Sequence, residues 1–214
     1  MNGSPAVVHV VDDDSSLRTA VTRLLRAAGY EVRAYSSAGE FLMCERDEGP
    51  ACVILDVRMP GPSGLELHQA LEARDDALPV VFLTGHGDIP MSVRAMRAGA
   101  VDFLTKPVKR DALLSAVRAA LAQHEERRAG REREQHVRTR FETLTSRERE
   151  VFGHVVAGML NKQIAAELGC SIRTVKIHRA RTMAKMQVDS LADLVRAAEM
   201  LRLPHAARSS TAKI

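Results

Sequence analysis

The chain contains no tryptophan, and its two tyrosines and five phenylalanines leave aromatic residues at 3% of 214 positions. Its cores must therefore be aliphatic, built from Val, Leu and Ala. Cysteine is equally scarce. Cys44, Cys52 and Cys170 are odd in number, widely spaced and free of any Cys-x-x-Cys pattern, which argues against a disulfide framework and a zinc site and leaves reduced thiols. No apolar run approaches the ~20 residues that span a bilayer, and Met1-Asn2-Gly3-Ser4-Pro5 has no basic start leading into an apolar stretch. A soluble cytoplasmic protein without a membrane partner is expected. The eight histidines never fall at i,i+4 metal spacing, no Ser-His-Asp or phosphate-loop pattern occurs, and Gly85-His86-Gly87 is too short to cradle a nucleotide. Hydrolase and nucleotide-binding chemistry are disfavoured accordingly.

What is present divides unevenly along the chain. Residues 1–121 carry 13 Lys+Arg against 16 Asp+Glu, net −3, whereas residues 122–214 carry 18 against 11, net +7. A metal or phosphate site fits the first part and a polyanion the second. The length allows one large domain or two small ones, each able to bury a core.

Five short β-rich runs, at 7–11, 31–35, 52–55, 80–83 and 101–104, alternate with helix-length segments at 16–28, 38–46, 64–73, 90–98 and 110–121. The alternation predicts right-handed βαβ units and a parallel sheet, an α/β domain over 1–121. Gly29 and Gly99 stand where helix C-caps belong. In such sheets ligands bind beyond the carboxyl ends of the strands. That edge collects Asp12 and Asp13 after the first strand, Asp56 after the third, Thr84 after the fourth and Lys106 beyond the fifth.

Three carboxylates brought together repel, by about 4 kcal/mol for a pair 4 Å apart at an effective dielectric of 20, so either a cation or protons must join them. Mg²⁺ is the natural cation, being hard, oxygen-seeking and suited to bridging carboxylates to phosphate oxygens. Asp56, alone at the end of the central strand, is the candidate nucleophile toward phosphorus, and Lys106 would neutralise a phosphoryl oxygen. For Asp14, stabilisation of a helix N-terminus weighs equally with a ligand role, and it is left out of the site.

These residues occur in Val10-Val11-Asp12-Asp13, Leu55-Asp56-Val57-Arg58-Met59-Pro60-Gly61, Leu83-Thr84-Gly85-His86 and Phe103-Leu104-Thr105-Lys106-Pro107, and residues 6–121 thereby resemble the receiver domain of two-component response regulators. The resemblance implies a flavodoxin-like, doubly wound, five-stranded parallel sheet and phosphotransfer from a histidine kinase to Asp56. It implies Mg²⁺ held by Asp13, Asp56 and the backbone carbonyl of Arg58, with Asp12 acting through water. It further implies a hydrogen bond from Thr84 to the phosphoryl group, an inward-turning switch aromatic at Phe103, and a cis Lys106-Pro107 peptide. The resemblance also implies dimerisation through the helix after Leu83 and the element after Gly99, with Met91, Arg94 and Arg97 as participants.

Residues 122–140 mix helix formers with i,i+4 charges and predict a solvated helical linker, weakened at Gly130; apolar coiled-coil positions are largely missing before Val137, Phe141 and Leu144. From 141 to 204 the pattern is all-α. Thr145-Ser146-Arg147-Glu148 has capping-box spacing and opens the first helix, Asn161 is the N-cap candidate for a short second, Ser171 caps a longer third, and a fourth covers roughly 190–203. Two of them joined by a tight Gly169 turn form a helix-turn-helix. Residues 205–214 are expected to be a disordered tail.

On the third helix Val175, Thr182 and Met186 share one side and face the core, while Arg173, Ile177, Ala180 and Ala184 lie opposite, flanked by Lys176 and Arg181. This is the stripe a recognition helix presents to a major groove, with Thr174 near its start a candidate phosphate contact and Arg179 between faces. Leu144-Thr145-Ser146-Arg147-Glu148-Arg149-Glu150-Val151, Asn161-Lys162-Gln163-Ile164-Ala165 and Thr174-Val175-Lys176-Ile177-His178-Arg179 resemble the LuxR-type DNA-binding domain. Ala180 departs from members that carry a basic residue there. Together the halves are similar to transcriptional response regulators of the NarL/FixJ class. The resemblance implies double-stranded promoter DNA, RNA polymerase and a phosphorylation-induced homodimer as partners. The chain is then a regulator and not an enzyme. Two rival readings are a constitutive DNA-binding protein using the receiver only to dimerise and a Mg²⁺-dependent phosphohydrolase.

Overall fold

The computed structural model describes residues 5–44, 49–73, 77–85 and 89–202, and the chain divides into two compact units, residues 1–128 and 129–214. In the first unit β1 (Val7–Val11), β2 (Glu31–Tyr35), β3 (Ala51–Leu55), β4 (Val80–Thr84) and β5 (Asp102–Thr105) form one parallel sheet in the order β2-β1-β3-β4-β5. Among them run α1 (Ser15–Ala27), α2 (Ala38–Leu42), α3 (Gly64–Glu72) and α4 (Ile89–Arg97), and α5 (Arg110–Glu142) follows β5. Every residue of β1, β3 and β4 is buried because helices cover both faces. Val8, Val10, Cys52, Ile54, Val81 and Leu83 pack with α1 and α5, whereas Val11, Val53, Leu55, Val80 and Phe82 pack with α2, α3 and α4. The edge strand β2 instead buries only Val32 and Tyr35.

Several boundaries differ from the sequence reading, most by a single residue. Helix α2 stops at Leu42 and not near 46, because Met43 and Cys44 close the turn with i,i−3 bonds to Glu40 and Phe41. Strand β5 begins one residue later than expected, since Val101 N donates to Val80 O ahead of the Val81↔Asp102 register. Helix α5 runs unbroken for 33 residues through Gly130, whose cost of about 1 kcal/mol is too small to end a helix of strong formers.

The second unit holds the end of α5 with α6 (Ser146–Val156), α7 (Asn161–Glu167), α8 (Ile172–Met186) and α9 (Leu191–Met200). Val151, Phe152, Ile164, Val175, Met186 and Leu194 form its core. The α6 capping box is present, Ser171 Oγ accepts from Thr174 N, and Gly169 takes φ +60° in the turn between α7 and α8. Asn161 is the first residue of α7 and not its N-cap; Leu160 occupies that place, its N–H held by Gln163 Oε1 at 2.8 Å. The expected tail, 205–214, lies outside the described residues.

Glu148 ties this unit together. Its buried carboxylate accepts from Lys185 Nζ at 2.7 Å and from Thr145 N at 2.9 Å, while Lys185 also donates to Thr143 O at 3.0 Å. Lys185 first, and then the Thr145 N–H, hold the carboxyl at a pKa of about 2, below its ordinary 4.5. A depressed carboxylate stabilises the fold above its unfolded pKa, and that stability is lost as pH falls from 4.5 toward 2. Melting of the full chain across this window should show a loss on the order of 2 kcal/mol, discounted for the water around Lys185, that Glu148→Gln removes. Parallel pH profiles for the two proteins would contradict the assignment.

Candidate functional site

Register carries the reactive groups together at the carboxyl edge of the first sheet. Val11 pairs with Leu55, and Asp56 N donates to Val11 O at 2.9 Å, so the residues following β1 and β3 stand side by side. Thr84 pairs with Thr105, and Lys106 N donates to Thr84 O at 2.8 Å, which turns the lysine back over the end of β4. Its Nζ lies 2.7 Å from both Asp12 Oδ2 and Asp56 Oδ2. Asp12, Asp13 and Asp56 bring carboxylate oxygens within 4.8 Å of one another. Asp12 and Asp56 are nearly enclosed, and Asp13 is exposed.

The local backbone holds these groups in place. Asp12 Oδ1 accepts from Asp14 N, Arg18 Nη1 donates to the Asp12 carbonyl at 2.5 Å, and Arg58 N donates to Asp56 Oδ1 at 3.3 Å. Asp14 caps α1 through Ser16 N and Leu17 N and stays out of the pocket. Thr84 is buried at the end of β4, and the half-buried Phe103 packs at 6.2 Å from the Phe82 ring. The Lys106-Pro107 peptide is cis.

Burial raises the Asp12 carboxyl above its ordinary range, with Lys106 pulling the other way. Burial also works against the Lys106 charge, but the bonds to Asp12 and Asp56 prevail and hold its pKa above the ordinary value. Three carboxylates facing one ammonium leave a net charge of about −2 when all are ionised, a donor set of hard oxygens that matches a divalent cation.

The second unit offers a different surface. Along α8, Arg173, Lys176, Ile177, Ala180, Arg181 and Ala184 are exposed while Val175, Thr182 and Met186 are buried. Thr174 is half-buried, with its hydroxyl 2.9 Å from that of Ser171. Arg179 leaves the exposed stripe and donates to Asn161 Oδ1 at 3.3 Å.

Comparison with known proteins matches both parts of the chain to described families. The family described as "Response regulator receiver domain" matches residues 8–118, and "Bacterial regulatory proteins, luxR family" matches residues 142–198. Nodulation protein W of Bradyrhizobium diazoefficiens is 47% identical over 92% of this chain and 86% of its own length. The transcriptional regulatory protein FixJ of Azorhizobium caulinodans is 44% identical over 89% of this chain and 90% of its own. The chain is a response regulator of the NarL/FixJ class. The solved response regulator StyR is 48% identical over 92% of this response regulator and 99% of its own chain, with a TM-score of 0.80.

Two residues of the regulator's pocket escaped the sequence reading. Gly64 sits so close to the end of β3 that a Cβ there would lie 2.1 Å from the Asp56 carbonyl oxygen, and Arg18 anchors the Asp12 peptide. A glycine at the first position of a helix was the only signal for the former; the latter left none. On α4, Arg94 and Arg97 are exposed beside Val93 and Met96, and Met91 belongs to the same helix. Among the described residues no helix is long and apolar enough to cross a membrane.

Proposed function

We propose that this response regulator is a phosphorylation-switched transcription factor in which residues 1–121 receive the signal, 122–140 connect and 141–204 bind promoter DNA. A carboxylate oxygen of Asp56 attacks the phosphorus of a phosphohistidine on a sensor kinase. The new P–O bond forms as the P–N bond breaks, and the electron pair leaves with the imidazole. Asp12, Asp13, Asp56 and the Arg58 carbonyl would hold Mg²⁺, which lowers the charge opposing this approach. Lys106 neutralises a phosphoryl oxygen and the Thr84 hydroxyl donates to another, and Phe103 follows by turning toward the pocket. The altered face around α4, with Met91, Arg94 and Arg97, pairs two copies. Paired α8 helices then engage two half-sites through Arg173, Thr174, Lys176, Ile177 and Arg181, placing the regulator beside RNA polymerase in the cytoplasm.

The observation that supports this reading above its rivals is the single ammonium of Lys106 shared at 2.7 Å by Asp12 and Asp56. It is a charge poised to follow a phosphoryl group onto Asp56. The test is DNA retardation with and without acetyl phosphate and Mg²⁺. Tighter binding and a dimer on phosphorylation are expected. Equal affinity in both states would favour the constitutive reading, and sustained turnover of a phosphate ester without a kinase would favour a hydrolase.

A further inference from the structure

His178 stands on α8 between the buried side, Val175, Thr182 and Met186, and the exposed face centred on Ile177, and its ring is half-buried. Its Nδ1 is sealed from solvent and has no hydrogen-bond partner. Nε2 is neither sealed nor bonded to another residue, so it occupies the open side of the ring. The two nitrogens of a neutral imidazole divide one proton between them. A sealed N–H without an acceptor costs more than a sealed lone pair, because buried orphan donors are the rarer and more expensive case. The enclosed Nδ1 therefore carries the lone pair, and the proton sits on Nε2, pointing outward as a donor.

The position of that donor indicates what it meets. Thr174, His178 and Arg181 succeed one another at spacings of four and three and so line one flank of α8. A recognition helix seated in a major groove turns its exposed face to base edges and brings its flanks against the sugar-phosphate walls. We propose that His178, through Nε2–H, donates a hydrogen bond to a DNA backbone phosphate, as an uncharged contact that adds affinity without reading sequence. The proposal rests on the DNA-binding function given to α8 above.

The full chain, incubated with acetyl phosphate and Mg²⁺, is titrated against a short duplex of mixed sequence at rising NaCl, since a phosphate contact does not require the operator. His178→Leu should weaken binding about tenfold, as loss of a bond to a charged acceptor does. His178→Gln, whose amide N–H falls near the Nε2 position, should restore most of the affinity, and His178→Asn, which reaches only the Nδ1 position, should not. Because the donor is neutral, the slope of log affinity against log salt should be the same for wild type and His178→Leu. Lys176→Ala serves as the cationic control, with a slope shallower by about 0.9. Thermal melts identify any variant that has lost its fold. Wild-type affinity in His178→Leu, a Gln variant as weak as the Leu variant, or a slope change like that of Lys176→Ala would each overturn the proposal. Failure of the wild type to retard DNA would overturn the function of α8 itself.

Discussion

Asp56→Asn is expected to abolish phosphoryl acceptance while leaving the fold in place. Incubated with acetyl phosphate and Mg²⁺, the wild type should gain the mass of one phosphoryl group and the variant none. The amide keeps the shape of the carboxyl and still offers one oxygen to Lys106 Nζ, 2.7 Å away in the wild type. It has no anionic oxygen to attack phosphorus. Stability should change little, because two opposing terms nearly cancel. At an effective dielectric of 20, removing the Asp56 charge ends two carboxylate repulsions of about 3.5 kcal/mol each and one attraction to Lys106 of about 6 kcal/mol. A phosphoryl gain in the variant would transfer the acceptor role to another residue. Collapse of its melting transition would mean that Asp56 holds the fold rather than the phosphoryl group.

The second large effect lies at a residue with no functional group. Gly64→Ala should destabilise the first unit by at least about 2 kcal/mol, since its Cβ would sit 2.1 Å from Asp56 O and 3.1 Å from Leu55 Cγ. Neither can give way cheaply: the oxygen is backbone, and Leu55 is fully buried beneath the sheet edge. Any relief must come from moving the peptide that carries Asp56, so phosphorylation is expected to slow at least tenfold even below the melting temperature. Gly130→Ala is the contrasting case. Nothing lies within 4 Å of a Cβ there, in the middle of α5, and the substitution should stabilise by about 1 kcal/mol. A Gly64→Ala protein with wild-type melting and phosphorylation would remove the packing argument.

The alternation of strands and helices, the placement of Asp12, Asp13, Asp56, Thr84 and Lys106 at strand ends, and the buried and exposed sides of α8 are all legible in the residues alone. All follow from local rules: apolar periodicity distinguishes a strand from a helix, and a strand's last residue belongs to the sheet edge whatever its neighbours. The rest depends on how the elements pack. That Asp12 lies beside Asp56 depends on β1 and β3 being neighbours, and that Lys106 reaches both depends on the register of β4 with β5. Strand order and register are contacts between residues far apart in sequence, so no local periodicity encodes them. The same holds for the Gly64 approach to Asp56, the Arg18 bond to the Asp12 carbonyl and the sealed Nδ1 of His178. Each is a distance or an enclosure created only when separate elements pack, where a few tenths of an ångström determine whether an atom is bonded, stranded or excluded.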